Sequence, residues 1–469
     1  MTRVAWLDGL RGLAAVNSVV RHSFYMEPKS VFGFLFRSYW AEPREANCHI
    51  IELPPFRLLF ASSSWVTCFM VLSGVAISIP VVRARNHPIT VADRDSWVGR
   101  LCSQVTRRVP RLYLPVILVS ILSNILFYYN AFTFPQAIEM MANAWNLQPM
   151  TAPWAHIKFS VWQVVHLMTF VRYELDIANT FVRDDLEGVL NPQLWSIPVV
   201  FRGSLIVYLL LLTTGFWSSE TRRLAFIAVA IYWFLLGQWD IFAFTSGLCI
   251  AEYLYGEPGE QNTKIHAQHG FSSVHMFCSY GNQVWNMISS FISFNSFWKM
   301  VFLTAGLFLL SIPDDGPLGA EYSFLNAFAF SPWWDRVEIF NRCWTSLGGV
   351  LLIITIANTP WLQAPLNTRP LQFLGRISYP LYVIHFAVYF ILKWPLQNFF
   401  WFIITGEEYP GSEEASKQAT AFKFAWTGWF LTCFAILIVL ADISERYVER
   451  WLIGRGSDGG YGIAKKGGF

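Results

Sequence analysis

Apolar stretches of roughly twenty residues recur along this chain, and that recurrence limits the folds open to it more than any other feature does. About 30 Å of hydrocarbon takes ~20 helical residues to cross. Ten runs approach that length: 4–26, 56–82, 109–129, 194–216, 222–237, 239–255, 294–312, 344–360, 371–394 and 422–446. Lipid offers no partner to backbone N–H and C=O groups, so runs of this kind become helices. Composition agrees, since 54% of the 469 residues are hydrophobic and only 14% are charged, against the roughly 25% charged of an ordinary globular domain. The expected fold is all-α, a polytopic integral membrane helical bundle of about ten transmembrane helices. The fifth and sixth runs are short and separated only by Gly237, Gln238 and Trp239. Either they form a tight hairpin or one of them is partly buried.

Loop charges orient the bundle, because Lys and Arg accumulate on the cytoplasmic side. Arg83, Arg85, Arg94, Arg100, Arg107 and Arg108 crowd the link between the second and third runs, while Glu139, Glu174, Asp176, Asp184, Asp185 and Glu187 mark the next one. The alternation continues around the chain and predicts both termini cytoplasmic. One transmembrane domain over 1–455 is expected, followed by a short Gly/Lys-rich cytoplasmic tail over 456–469. The expected location is an endomembrane or the plasma membrane. Asp8 and Arg11 interrupt the first run, so it does not read as a cleavable signal.

A net charge of +3 is too small to suggest nucleic acid as a partner. Seven scattered cysteines indicate neither a zinc site nor a disulfide framework; at most Cys48 and Cys343 could pair. His266, His269, His275 and Cys278 share one linker, but their Gly-, Ser- and Gln-rich surroundings favour a plain loop over a metal site. In the linker after the third run, Trp154, Ile157, Val161, Trp162 and Val165 recur at helical spacing. That pattern suits a helix lying at the membrane interface, with His156 and His166 as its polar groups.

The first run carries the chemistry. Arg11 and His22 lie eleven residues apart, which at 100° per residue leaves them only about 20° apart around a helix and about 16 Å apart along it. Asp8 and Ser18 fall on the same stripe. Ionisable groups at membrane depth are costly unless they face a partner or a cavity. An Asp8–Arg11 pair alone could merely lock two helices, but His22 adds a group that titrates near neutral pH and can move a proton.

These residues resemble the membrane-bound acyltransferase family 3, in its fungal form. The resemblance runs from LDGLRGLAA with the Arg11 and His22 spacing through ELPPFRLLF, FMVLSGVAIS with Ser73 and Gly74, and RRVPRLYLP with Arg107, Arg108 and Arg111. It continues through LWSIPVVFRGS with Trp195 and Arg202, LGRISYPLYVIHF with Tyr382 and His385, and ISERYVE. It implies transfer of an acyl group, usually acetyl, from acyl-CoA to a hydroxyl of a secondary metabolite, glycan or lipid. No permanently bound cofactor is expected, and acetyl-CoA would be a substrate. His22 suits the general base that a hydroxyl nucleophile needs. Arg11 suits either a donor to the developing oxyanion or a binder of pantetheine or pyrophosphate. Arg107, Arg108 and Arg111 suit a coenzyme A phosphate clamp, although any cytoplasmic flank collects arginines.

Asp8, Ser18, Ser73, Trp195, Arg202, Tyr382 and His385 are the expected substrate-pocket residues. For Ser73 and Gly74, close helix packing explains the residues equally well. Ser378, Tyr382 and His385 share a helix face, which fits either packing or a pocket. Val200 stands where the family usually carries a glutamate. Either the substrate differs, Arg202 is paired elsewhere, or activity is weakened. A proton-coupled transporter would also bury Arg, His and Asp, but no internal repeat accompanies them.

Overall fold

A computed structural model describes residues 4–86, 91–168, 190–256, 296–313 and 319–449. The linker with His266, His269, His275 and Cys278 lies outside the described residues, as does the tail 456–469. Helices occupy all ten apolar stretches: α1 (Ala5–Tyr25), α2 (Ser62–Asn86), α3 (Val91–Tyr128), α6 (Ser196–Thr213), α7 (Ser219–Leu235), α8 (Trp239–Tyr255), α9 (Ser296–Leu310), α10 (Val337–Ala357), α11 (Arg369–Thr405) and α12 (Ala419–Ser444). Two more, α4 (Pro135–Trp145) and α5 (Pro153–Met168), lie between α3 and α6. No strand occurs among the described residues. Among the described residues, six helical segments are long and apolar enough to cross a membrane, as a multi-pass membrane protein requires.

Two helices outrun their apolar runs. α3 begins at Val91 and α11 continues to Thr405, because hydropathy marks only the lipid-facing part of a helix. Arg107, Arg108 and Arg111 therefore lie within α3 rather than on its flank.

The described residues group into two compact units. The first takes in Met1–Arg21, Phe34–Val105 and Arg202–Gln372. Its most extensive helix packing joins α2 to α8: a Cβ on Gly74 would lie 2.3 Å from the Phe244 carbonyl oxygen, and one on Gly247 would lie 2.4 Å from that of Val71. Gly74 thus serves close backbone approach. The hairpin after α7 forms with Gly237 at φ +71°, and α8 is mostly interior, with Asp240 through Leu248 all buried. Within it, Glu252 accepts from both Arg85 and Arg222 at 2.6 Å. The ELPPFRLLF segment turns back on α1, where Asn17 Nδ2 donates to the Leu59 carbonyl at 2.6 Å. Arg57, 2% exposed, donates to the carbonyls of Phe36 and Arg37.

The second unit takes in His22–Gly33, Thr106–Phe201 and Phe373–Phe469. α11 carries Pro395 inside it. A proline has no N–H to give the carbonyl four residues earlier, and Thr133 makes good the loss by donating its hydroxyl to the Ile391 oxygen at 2.7 Å. The Thr133 and Phe134 amides bond the Phe390 oxygen at 3.0 and 3.1 Å. Arg376 of α11 pairs with Asp442 at 2.7 Å and Glu445 at 3.9 Å, so the LGRISYP and ISERYVE blocks meet. On α5, Trp154, Ile157, Val161 and Val165 form an exposed apolar row, whereas Trp162, expected in the same row, is half-buried against Trp145 and Phe159. His156 is buried and bonded to Asn124 and the Gln148 carbonyl. Cys48 and Cys343 are both free thiols, the first exposed and the second buried.

Candidate active site

α1 packs closely at Gly9, where a Cβ would lie 2.0 Å from the Leu366 carbonyl oxygen. In the first unit, Arg11 Nη1 donates to Asp8 Oδ1 at 3.1 Å, so the i,i+3 pair forms. Ser18 is buried and spends its hydroxyl on the Ala14 carbonyl at 3.1 Å. Ser73 is buried beside Gly74 in α2. Arg202 grips Asp240 through Nε at 3.0 Å and Nη2 at 2.7 Å, and Gln238 through Nη2 at 2.8 Å. Arg202 thus has a carboxylate partner on α8, in Asp240. Val200 itself is buried.

In the second unit, His22 meets His385. Their Nδ1 and Nε2 atoms are 3.0 Å apart, with ring planes within 12°. His22 is half-buried, whereas His385 is 0% exposed. The Phe386 ring lies 4.8 Å from each imidazole, and Tyr389 stands edge-on to His385 at 5.8 Å. His385 Nδ1 donates to the Tyr382 carbonyl at 2.7 Å. The Tyr382 hydroxyl donates to the Gln193 carbonyl at 2.6 Å and accepts from Ser196 Oγ at 2.9 Å. Gln193 Nε2 donates to the Val383 carbonyl at 2.8 Å. The Pro192–Trp195 turn and the start of α6 are thereby stitched to α11 at Tyr382 and Val383, within the turn before the histidine. Trp195 is half-buried at the end of that turn.

Arg107 and Arg111, one turn apart on α3, are exposed, and Arg108 is half-buried. Ser378 is buried and bonds its own helix at the Gly375 carbonyl, 2.9 Å away.

Sequence reasoning missed three sets of residues. Gln193 and Ser196 hold Tyr382, and Asp240 with Gln238 holds Arg202. The third is a buried ion pair, Lys393 Nζ to Glu27 Oε1 at 3.2 Å. Glu27 also accepts from Gln397 Nε2 at 3.0 Å and from Ser412 Oγ, while Lys393 donates to the Met26 carbonyl at 2.7 Å. A lysine inside an apolar helix was a usable signal, since it demands a carboxylate.

The chain is a multi-pass membrane helical bundle, and the family it matches makes it an acyl-transferring enzyme. The chain belongs to the acyltransferase family 3, whose acyltransferase domain it matches over residues 4–443. It is similar to O-acetyltransferase PaAT-1 of Phomopsis amygdali, 26% identical over 456 residues that cover 95% of this chain and 82% of that one. It is also similar to acyltransferase clz18 of Cochliobolus lunatus and acyltransferase R4 of Phoma sp., at 24% and 21% identity, each over 95% of this chain and 93% of the relative. No solved structure matches it.

Proposed function

We propose that this acyltransferase moves an acetyl group from acetyl-CoA to a hydroxyl of a secondary metabolite, glycan or lipid, with His22 as general base. The observation that carries the reading is the contact of the half-buried His22 with the fully buried His385, 3.0 Å between nitrogens. An imidazole held by a second, inward group is oriented for proton transfer. His22 takes the hydroxyl proton as the oxygen attacks the thioester carbonyl. The C–S bond then breaks, and the departing thiolate takes that proton to leave as coenzyme A.

Arg11, on the same helix, is the proposed cationic partner for the thioester oxygen or for the pantetheine arm, with Asp8 holding its guanidinium. Arg107, Arg108 and Arg111 are the proposed phosphate clamp for the nucleotide end of the donor. Trp195 and Tyr382, in the unit that holds the histidine pair, are the proposed walls of the acceptor pocket. The protein would do this in an endomembrane or the plasma membrane.

The test is purified full-length protein in lipid nanodiscs with acetyl-CoA, following thiol release with and without candidate acceptors. Release that depends on His22 and is speeded by a hydroxyl compound is expected. A protein that neither binds nor slowly hydrolyses acetyl-CoA would overturn the reading.

A further inference from the structure

We propose that His385 is a positioning residue that sets the tautomer of His22, so that His22 keeps a proton on Nδ1 and its lone pair on Nε2. The inference rests on the acyl-transfer reading only for its consequence, and its geometry stands alone. A carbonyl oxygen can only accept, so the 2.7 Å contact between His385 Nδ1 and the Tyr382 oxygen puts a proton on Nδ1. A neutral imidazole has one N–H, which leaves Nε2 of His385 as an acceptor. The 3.0 Å approach of His22 Nδ1 to that nitrogen then needs a proton from His22.

A doubly protonated His385 is the alternative, and its surroundings oppose it. The ring is 0% exposed and packed by Phe386 and Tyr389. No carboxylate pairs with His385 among the described residues, and a buried charge without such a partner is costly. His22 is therefore held in the tautomer opposite to the one that free histidine favours in water.

The consequence is a direction for the chemistry. Nε2 is the atom of His22 that takes the acceptor's proton, and the resulting imidazolium gives its Nδ1–H to the neutral His385. Tyr382 belongs to the same device through its main chain, and its hydroxyl keeps that main chain in place by bonding Gln193 and Ser196. The tautomer of a histidine is set by what its other nitrogen bonds. In this protein the partner is a second imidazole rather than a carboxylate.

The experiment is solid-state ¹⁵N NMR on full-length, ¹⁵N-histidine-labelled protein in lipid bilayers, without substrate. The His22 signals are identified by their loss in His22→Gln. In the wild type, Nδ1 should be protonated and Nε2 bare. His385→Phe should shift His22 to the Nε2–H form and lower kcat for acetyl-CoA turnover by about 10-fold or more with KM for acetyl-CoA unchanged. His385→Gln, whose amide oxygen can stand where Nε2 stood, should restore the wild-type tautomer and much of kcat.

A wild-type His22 protonated at Nε2, or a tautomer unmoved by His385→Phe, overturns the proposal. The wild-type spectrum decides even if His385→Phe does not fold. A protein that shows the Nδ1 proton but turns over no acetyl-CoA refutes the acyl-transfer reading while upholding the pairing.

Discussion

Lys393 has 2% of its side chain exposed and its partner Glu27 has none, so each depends on the other for charge balance. Removing one member of such a pair leaves an uncompensated buried charge and costs about 3–5 kcal/mol. Lys393→Met should therefore lower thermal stability in detergent sharply, and the double variant Lys393→Met with Glu27→Leu should recover most of the loss. Equal instability of the single and double variants would mean that packing, not charge, dominates there. His22→Ala removes little volume from a half-buried position. It should leave the unfolding temperature close to wild type while cutting acetyl transfer by about 10²-fold or more. Residue-scale features were legible where partners are close in sequence. Asp8 and Arg11 are three residues apart, whereas the partner of Glu27 could only be found by folding the chain.

Helices were legible as elements because apolar length and helical periodicity are local properties. Their ends were less so: the polar first turns of α3 are not distinguishable from a loop by hydropathy, and the same holds for the end of α11. Contacts between helices left a weaker trace, in glycines. Gly247 of α8 faces α2 so closely that a Cβ would meet the Val71 oxygen at 2.4 Å and the Val75 nitrogen at 2.7 Å. Backbone atoms cannot rotate away, so Gly247→Val should reduce the yield of folded protein on size exclusion. Gly99 in α3 is the contrast, with nothing within 4 Å of its Cβ position. Gly99→Ala should raise stability by about 0.5–1 kcal/mol through the lower chain entropy and better helix propensity of alanine. A destabilising Gly99→Ala would mean that this stretch of α3 touches something in the membrane.

For the whole molecule, the distribution of arginines predicts which segments face the cytoplasm, and two exposed cysteines test it. Cys102 lies on α3 among Arg100, Arg107 and Arg108, and Cys48 lies in the link between α1 and α2. A membrane-impermeant maleimide applied to intact vesicles with the cytoplasmic face outward should label Cys102 and spare Cys48. The reverse pattern would invert the topology.

The histidine pair also has a history within each molecule's synthesis. His22 and His385 are 363 residues apart, so at ~5–20 residues per second a ribosome needs roughly 20–70 s after finishing the first imidazole to deliver the second. Glu27 waits comparably long for Lys393. During that interval His22 on α1 and Glu27 just beyond it lack the contacts that α11 supplies. A chain ending before α11 would therefore carry both of these polar groups at membrane depth without the partners that offset their cost there.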